Sequence, residues 1–394
     1  MVSVTGAEKI ILDHLFNPGM ERVSLEFACG KILAEEIKAD RDLPPFDRAT
    51  MDGIAISYES FETGQQEFVI EGVQAAGQPK QTLTDKKKCF EIMTGAPLPT
   101  GADTVIPYEN IKIETKTIKP ISTVSKKQNV HHQGSDAKQN EILLSPGFRI
   151  SSAEIALLAS VGKSEVDVFK YPSAAIISTG DELVDVNEKP LPHQIRKSNS
   201  YALATALGKL GCRPDIFHLV DDEKVLTKKL GEILSKYELI ILSGGVSKGK
   251  FDFVPQVLES LGVKKLFHQV SQRPGKPMWF GRSEKNTVFA LPGNPVSTFM
   301  CFYRYVKPWL AKSLGLQVKK QSAILAENFT FAPALTYFLQ VKIQNENGKL
   351  MAYPIAGGGS GDFANLRDVD GFLELPLEQP TFLKGENFPL ILFR

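Results

Sequence analysis

A glycine loop that follows an apolar run is the part of this sequence whose residue types most clearly suggest chemistry. In ELIILSGGVSKGKFDFVP (residues 238–255), the run ends at Ser243 and passes into Gly244 and Gly245. A buried strand that empties into a glycine loop before a helix brings unpaired backbone N–H groups together. The stretch therefore predicts an anion-binding site, with phosphate as the expected ligand class.

The same loop matches a Walker A sequence only in part. Residues 244–250 fit its first seven positions, but Phe251 replaces the Ser or Thr that must hold magnesium. Asp252 follows one residue later and offers a carboxylate for a cation instead. We therefore expect phosphate and metal binding by a loop that is not a P-loop.

The elements that would position this loop form a regular βαβ series. Apolar β-branched runs predict strands at 174–178, 215–220, 239–242 and 288–291, and helical patterns predict helices at 201–210, 223–235, 253–261 and 296–314. Strands that alternate with helices indicate a doubly wound, mostly parallel α/β sheet, whose ligands bind at the carboxyl ends of the strands.

Five further polar constellations fall at the predicted strand ends. Each has an ordinary structural explanation, such as a helix cap, a solvated turn or a favourable helix dipole. Their joint placement at one sheet edge favours a site where carboxylates hold a divalent cation and cations hold an oxyanion. The constellations are Asp181 with Glu182, residues 196–200, Asp221 with Asp222, Arg273 with Lys276, and the turn 291–295.

The rest of the chain predicts three more regions. Helical patterns at 7–16, 25–37 and 152–161 indicate an elongated helical linking domain (1–42 and 141–171). Short β runs broken by Gly, Pro and Asn indicate a β-rich inserted domain at 43–140, which begins at Pro44-Pro45. The doubly wound domain then spans 172–318, and further β runs predict a C-terminal β-barrel-like domain at 319–394.

Composition excludes several classes of function. The 394 residues are 42% apolar and 23% charged with a net charge of +1, which argues against bulk electrostatic binding to nucleic acid or membranes. No apolar window approaches the about 20 residues of a membrane span. The start lacks the features of a signal peptide, and four dispersed cysteines suggest thiols in a reducing compartment. We expect a cytoplasmic protein.

Six motifs in order resemble one family. PPFDRATMDGIAI, MTGAPLPTGADTVIP, STGDEL, SGGVSKGKFDFV, RPGKP and ALPGNPVS are similar to the motif series of the molybdopterin molybdenumtransferases, the MoeA type that is related to the E-domain of gephyrin. The resemblance covers nearly the whole chain. It implies insertion of molybdate into adenylylated molybdopterin with release of AMP, assisted by Mg²⁺ or a similar cation. It also implies a homodimer with a composite cleft, and the molybdopterin adenylyltransferase as a partner.

The resemblance assigns roles to residues of this chain. As catalytic residues it implies Asp252, Glu182, Asp221, Asp47 and Thr94, the last two from the inserted domain of the other subunit. As ligands of the cation it implies Asp252, Asp181, Glu182 and Asp221, with Asp47 as a further possibility. As substrate-binding residues it implies Gly244, Gly245, Ser247, Asn199, Ser200, Arg273, Lys276, Pro292, Pro295 and Ser360.

Alternatives stay open at this point. The doubly wound domain also resembles molybdopterin adenylyltransferase, and gephyrin's E-domain also acts as a scaffold. Tungstate has the charge and nearly the size of molybdate. The chain departs from the family at Lys248, which adds a charge to the loop, and at 335–340, which lacks the usual arginines. Arg367 in GGGSGDFANLRDVD is a further candidate polar contact.

Overall fold

A six-stranded sheet forms the centre of the protein, seen here in a computed structural model that describes residues 1–114, 117–246, 253–355, 359 and 361–394. Four neighbouring strands are parallel, as the βαβ rhythm predicts, and the last two are antiparallel. In spatial order the strands are Pro214–Leu219, Ala174–Thr179, Leu239–Ser243, Thr287–Leu291, Trp279–Arg282 and Lys264–His268. The prediction of a doubly wound, mostly parallel sheet is confirmed, although the sequence did not reveal the two antiparallel strands.

Helices cover both faces of this sheet. One face packs in a core that extends through Trp309 to the N-terminal helix, and the other packs against a separate apolar cluster around Leu230 and Val257. The helices are Asn199–Leu210, Glu223–Lys236, Val254–Ser260, Pro295–Cys301 and Lys307–Ser313, with a π-helical turn at Phe302–Val306. A small parallel pair, Leu183–Val184 with Ile195–Arg196, lies beside the strand ends.

The inserted β region contains a second six-stranded sheet. Its strands, in spatial order, are Thr104–Pro107, Gly53–Ile56, Lys88–Ile92, Phe68–Gln74, Thr117–Pro120 and Ile111–Glu114. The short helix Tyr58–Glu62 and the 3₁₀ turn Tyr108–Asn110 join them, and Arg48–Ala49 pairs with Val130–His131. Each face of the sheet has its own apolar cluster, so this region has a core of its own.

The linking region contains less helix than the sequence predicts. The helix at 7–16 is observed as Val4–Leu12, and Ser152–Ser160 begins with the expected Ser151 cap and Glu154 capping box. The predicted helix at 25–37 is wrong, because only the 3₁₀ turn Leu25–Phe27 forms. Gly30 interrupts the segment with φ +83°, and its N–H pairs with the distant carbonyl of Ile150. Two antiparallel pairs complete the region: Met20–Ser24 with Glu165–Phe169, and Ile37–Lys38 with Ile142–Leu144.

The C-terminal region is a closed five-stranded barrel, which confirms the predicted barrel-like domain. Its strands, in order around the barrel, are Thr336–Glu346, Lys349–Pro354, Gln321–Leu325, Asn387–Leu392 and Gly371–Leu375, which returns to the first. The pair Phe329–Thr330 with Thr381–Phe382 and the 3₁₀ turn Phe363–Arg367 lie outside it. The strand Gln272–Arg273 of the α/β region joins the barrel sheet beside Thr336 and Tyr337.

The barrel is attached firmly to the α/β region. Phe338 and Phe372 of the barrel belong to the same apolar core as the N-terminal helix and one face of the central sheet. The buried Arg304 adds ion pairs to Glu8 and Glu374, each at 2.7 Å. In the described part of the chain, no helix has the length and apolar character needed to cross a membrane.

Candidate active-site clefts

A cleft of about 370 Å³ lies at the carboxyl ends of the parallel strands. It is built mainly from the loops that follow the four parallel strands, as expected for an open α/β sheet, and residues 195–199 and Pro277 complete it. The described residues that line this first cleft are Ser178, Thr179, Gly180, Glu182, Leu183, Ile195, Arg196, Lys197, Ser198, Asn199, Asp221, Ser243, Gly244, Gly245, Val246, Pro277, Pro292, Gly293, Asn294 and Pro295. The structure thus brings together residues that are up to 117 positions apart in the sequence.

Two glycines allow the loop after Ser243 to pass close to the neighbouring strand. Gly244 and Gly245 have φ values of +102° and +67°. A Cβ on Gly244 would lie 2.8 Å from both the carbonyl and the hydroxyl oxygen of Thr179, and one on Gly245 would lie 2.6 Å from a methyl group of Val254. Both positions therefore require glycine. Residues 247–252, including the predicted Ser247 and Asp252, lie outside the described residues.

The N–H of Gly244 is used within the protein. It donates to the carbonyl of Leu291 at 3.2 Å, which ties the ends of two adjacent strands together. The N–H of Gly244 therefore stabilises the sheet edge. Of the two glycines, only Gly245 keeps its predicted role as a backbone N–H donor to phosphate.

The side chain of Asn199 connects its own loop to the loops that contain Ser243 and Gly293. Its side-chain amide nitrogen donates to the hydroxyl of Ser243 and to the carbonyl of Gly293, both at 2.8 Å. Both amide hydrogens are therefore used, so a substrate can meet only the carbonyl end of this side chain. The next residue, Ser200, is fully buried and lines neither of the two clefts described here.

The acidic residues at the sheet edge divide into two groups. Glu182 and Asp221 line the first cleft. Asp181 does not line it, and its carboxylate accepts the backbone N–H of Asp221 at 3.2 Å. Asp222 caps the helix Glu223–Lys236 by accepting the N–H of Val225 at 2.9 Å. Two carboxylates thus face the cleft, and the other two stabilise the backbone that presents them.

The donor set fits a hard divalent cation in part. Glu182 and Asp221 supply carboxylate oxygens, which are the ligands that Mg²⁺ prefers. Among residues 1–114, 117–246, 253–355, 359 and 361–394, no three His, Cys, Asp or Glu side chains form a group that could hold a metal. The predicted third carboxylate, Asp252, lies in the segment that the structure does not describe.

A second cleft, of about 570 Å³, lies between the α/β region and the barrel. Arg273 and Lys276 contribute cations, and the barrel strand Thr336–Glu346 contributes Tyr337 and Gln340. Pro277, Pro292 and Asn294 line both clefts, so the two meet. The described lining is Gln272, Arg273, Pro274, Gly275, Lys276, Pro277, Pro292, Asn294, Val296, Ser297, Leu335, Tyr337, Phe338, Gln340, Ile355 and Gly359.

The barrel side of the second cleft is apolar or neutral among the described residues. The guanidinium of Arg273 lies 6.0 Å from the ring centre of Phe331, which stacks on Tyr337 at 4.2 Å. Arg367 is exposed, pairs with Asp368 at 2.8 Å and lines neither cleft. Ser360 lies outside the described residues. The positive charge of this cleft therefore comes from Arg273 and Lys276.

Asp47 and Thr94 lie in the inserted region, and neither is among the described residues that line the two clefts. The carboxylate of Asp47 accepts the backbone N–H of Gln133 at 2.7 Å. Thr94 donates both its backbone N–H and its hydroxyl to Asp52. These contacts, the N–H first, hold the pKa of Asp52 below its ordinary value. Sequence reasoning missed Asp52 as a separate site residue, although it lies in the quoted MDG motif.

Three family models match the chain in order. Residues 2–162 match the MoeA N-terminal region (domain I and II), residues 175–312 the probable molybdopterin binding domain, and residues 322–393 the MoeA C-terminal region (domain IV). A molybdopterin molybdenumtransferase of Synechocystis sp. is 40% identical, covering 99% of both chains. One of Haemophilus influenzae is 32% identical, covering 98% of this chain and 97% of the other.

A solved structure supports the same assignment. The molybdopterin biosynthesis MoeA protein of Pyrococcus horikoshii aligns over 100% of both chains with a TM-score of 0.86 and 30% identity. The fold and the paired clefts define a multidomain α/β protein of the class that handles molybdopterin. More specifically, the chain belongs to the MoeA family of molybdopterin molybdenumtransferases.

Proposed function

We propose that this protein is a molybdopterin molybdenumtransferase that inserts molybdate into adenylylated molybdopterin and releases AMP. The observation that carries the proposal is the meeting of two chemically different clefts at Pro277, Pro292 and Asn294. The first cleft presents the carboxylates of Glu182 and Asp221 together with the cations Arg196 and Lys197, whereas the described lining of the second presents Arg273 and Lys276 without any carboxylate. A reaction between a nucleotide-bearing substrate and a small oxyanion needs such an adjacent pair of sites.

The first cleft would hold the adenylylated end of the substrate. Its volume of about 370 Å³ lies within the usual range of small-molecule sites. Glu182 and Asp221, with Asp252, would hold a divalent cation against the pyrophosphate. When bound, Mg²⁺ would polarise the phosphoanhydride. Gly245 and Ser247 would donate to phosphate oxygens, and the prolines of the 292–295 turn would shape the wall.

The second cleft would hold molybdate. Arg273 offers a planar fork of N–H donors and Lys276 a compact positive charge, and both suit a doubly charged tetrahedral oxyanion. Because the lining described on the barrel side carries no charged group, the anion would be held from the side of the cationic turn, residues 273–277. Hydrogen bonds from fixed donors would orient the oxyanion toward the dithiolene of the substrate.

The inserted region would complete the site in a homodimer. Asp47 and Thr94 do not reach the clefts of their own chain, and we propose that they face the clefts of a second copy. We also propose that the chain divides into four domains: the linking domain (1–42 and 141–171), the inserted domain (43–140), the α/β domain (172–318) and the C-terminal domain (319–394). A cytoplasmic location is part of the same proposal.

Molybdate-dependent release of AMP tests the proposal directly. Purified protein is incubated with adenylylated molybdopterin while molybdate is varied, with and without Mg²⁺. We expect AMP to appear only with both molybdate and the cation. Attachment of AMP to molybdopterin from ATP, without dependence on molybdate, would instead identify an adenylyltransferase and refute the proposal.

A further inference from the structure

Gln272 is a wholly buried amide directly behind the cationic turn. Along this turn burial alternates: Gln272 and Gly275 point inward, whereas Arg273 and Lys276 are exposed on the cleft side. An uncharged polar side chain in a core is expected to satisfy its hydrogen bonds internally. The partners of Gln272 therefore show what this residue holds in place.

Both ends of the Gln272 amide are used. Its nitrogen donates to the carbonyl of Gly275 at 3.1 Å and contacts the sulfur of Cys301 at 3.4 Å. Its oxygen accepts the hydroxyl of Tyr305. A flipped amide would set its oxygen against the Gly275 carbonyl, and two acceptors repel each other. The turn itself therefore fixes the orientation of Gln272.

Tyr305 reaches Gln272 from a distorted helix. It lies in the π-helical turn Phe302–Val306, where the N–H of Lys307 bonds to the carbonyl of Phe302. The distortion ends just before Pro308, which has no N–H to continue a regular helix. Burial raises the pKa of Tyr305 well above its ordinary value, so the hydroxyl keeps its proton and remains a donor.

The inner side of the turn fits closely against the helix. Gly275 has φ +88°, and a Cβ there would lie 2.6 Å from the sulfur of Cys301 and 2.9 Å from the Gln272 nitrogen. Burial raises the pKa of Cys301 to about 12, so the sulfur stays an uncharged thiol. Backbone hydrogen bonds hold the base of the turn, because the carbonyl of Lys276 accepts the N–H groups of Val270 and Met278 at 3.0 and 2.9 Å. The Gln272 side chain connects Gly275, at the tip of the turn, to Tyr305 of the π-helical turn.

We infer that Gln272, oriented by Tyr305, is a positioning residue that sets where the cationic turn presents Arg273 and Lys276 to a small oxyanion. The inference rests on the proposed function, under which that oxyanion is molybdate. Gln272 touches the backbone of the turn, so it acts through the two cations. Its loss should weaken the use of molybdate far more than the use of the other substrate, because Pro277 is the one residue of this turn in the described lining of the first cleft.

Steady-state kinetics of AMP release with each substrate varied in turn tests this inference. The Gln272→Met variant keeps the size of the side chain and removes both hydrogen bonds. We expect the half-saturating molybdate concentration to rise about tenfold, the effect of one misplaced charge-assisted hydrogen bond. The half-saturating concentration of adenylylated molybdopterin should stay within about twofold of the wild-type value. Tyr305→Phe removes only the hydrogen bond between Tyr305 and Gln272. It should raise the half-saturating molybdate concentration by a smaller factor than Gln272→Met does.

Asn286 provides a matched control. It is also a buried amide of the α/β region, and its nitrogen donates to the carbonyls of Leu234 and Tyr237, away from both clefts. Asn286→Leu should lower thermal stability and leave the molybdate dependence unchanged.

Three results would overturn the inference: no change in half-saturating molybdate for folded Gln272→Met and Tyr305→Phe, equal shifts for both substrates, or the same molybdate shift in Asn286→Leu. If Gln272→Met does not fold, Tyr305→Phe decides alone. Failure of the proposed function would look different, because the wild-type protein itself would then release no AMP.

Discussion

The carboxylate of Asp52 accepts two hydrogen bonds from Thr94, from the backbone N–H at 2.6 Å and from the hydroxyl at 2.7 Å. A threonine hydroxyl has one hydrogen, so Thr94 can offer a substrate only an acceptor while this bond exists. An anionic substrate would gain nothing from such an acceptor. We therefore expect Thr94 to orient Asp52, because a charged carboxylate suits a divalent cation better than a neutral hydroxyl oxygen does, and Asp52 to be the group of this pair that faces the cleft of the proposed second subunit.

Thr94→Val tests this relationship. The variant removes the hydroxyl and keeps the shape, and we expect a loss of about tenfold in AMP release through the misoriented carboxylate. Thr84→Val is the matched control, because Thr84 donates its N–H and hydroxyl to Glu71 in the same inserted region, away from the motif. Equal losses in both variants, with unchanged circular dichroism, would argue that the Thr94 contact is only structural.

A composite site predicts complementation between two subunits that are each defective when AMP release is measured at limiting Mg²⁺. Thr94→Val carries a defective inserted region and an intact cleft, and Asp221→Ala carries the reverse. A heterodimer of the two has one site in which both contributions are intact, so its activity should be about half that of the wild-type dimer. The measurement uses heterodimers purified through two different affinity tags. Activity no higher than that of either parent would mean that each site is built within one chain.

The two cations of the second cleft predict a selective effect on molybdate. Arg273→Ala with Lys276→Ala should raise the half-saturating molybdate concentration roughly a hundredfold, since two charge-assisted hydrogen bonds are lost. Arg367→Ala is the control, because Arg367 lies outside both clefts and pairs with Asp368. An unchanged value in the double variant, measured at constant ionic strength, would contradict the oxyanion assignment.

The buried ion pairs of Arg304 predict a pH-dependent stability. Burial would raise the pKa of Glu8, but the adjacent Arg304 outweighs it and holds the pKa below the ordinary 4.5. A carboxylate whose pKa is lower in the folded state stabilises above its unfolded pKa, and this contribution is lost as pH falls below about 4.5. Wild type should therefore exceed Glu8→Gln in unfolding free energy at neutral pH, and the difference should vanish in acid.

Removal of the Arg304 guanidinium should lower the free energy of unfolding more than Glu8→Gln does. Arg304→Met removes the ion pair of Glu374 and leaves Glu8 with the exposed Lys320 at 3.9 Å, and we expect a loss of about 3 kcal/mol in the free energy of denaturant unfolding at pH 7. A difference in unfolding free energy between wild type and Glu8→Gln that stays the same from pH 7 to a pH well below 4.5 would contradict the assigned linkage.

The central sheet could be predicted from the sequence because its signals are local. The runs at 174–178 and 239–242 are apolar on both faces, as buried parallel strands require, and the structure extends each by one residue. The strand Lys264–His268 was missed because two lysines obscure its pattern. The helix at 25–37 fails for a nonlocal reason, since Gly30 and Leu33 bond to the carbonyls of Ile150 and Phe148.

The location of the clefts follows from topology, whereas the role of each side chain does not. Parallel strands place their carboxyl ends at one edge, so Glu182, Asp221 and Pro292 could be grouped from their order alone. The use of the Asn199 amide by Ser243 and Gly293 depends on rotamers and loop geometry, to which no sequence pattern points. The same applies to Gln272, whose importance becomes visible only through its contacts with Gly275 and Tyr305.

Asp221 and Asp222 are neighbours in the sequence, but only Asp221 lines the first cleft. Substitution of Asp222 is therefore a matched control for substitution of Asp221 in a test of cation binding. Asp221 lines the first cleft, whereas Asp222 accepts the N–H of Val225 as a helix cap. We expect Asp221→Ala to raise the Mg²⁺ concentration needed for half-maximal AMP release by tenfold or more, with little effect on unfolding. Asp222→Ala should lose about 1 kcal/mol of stability and keep the wild-type Mg²⁺ dependence. Titration of Mg²⁺ against AMP release, with denaturant unfolding in parallel, separates the two effects. The cation assignment fails if the Mg²⁺ requirement follows Asp222 or follows neither residue.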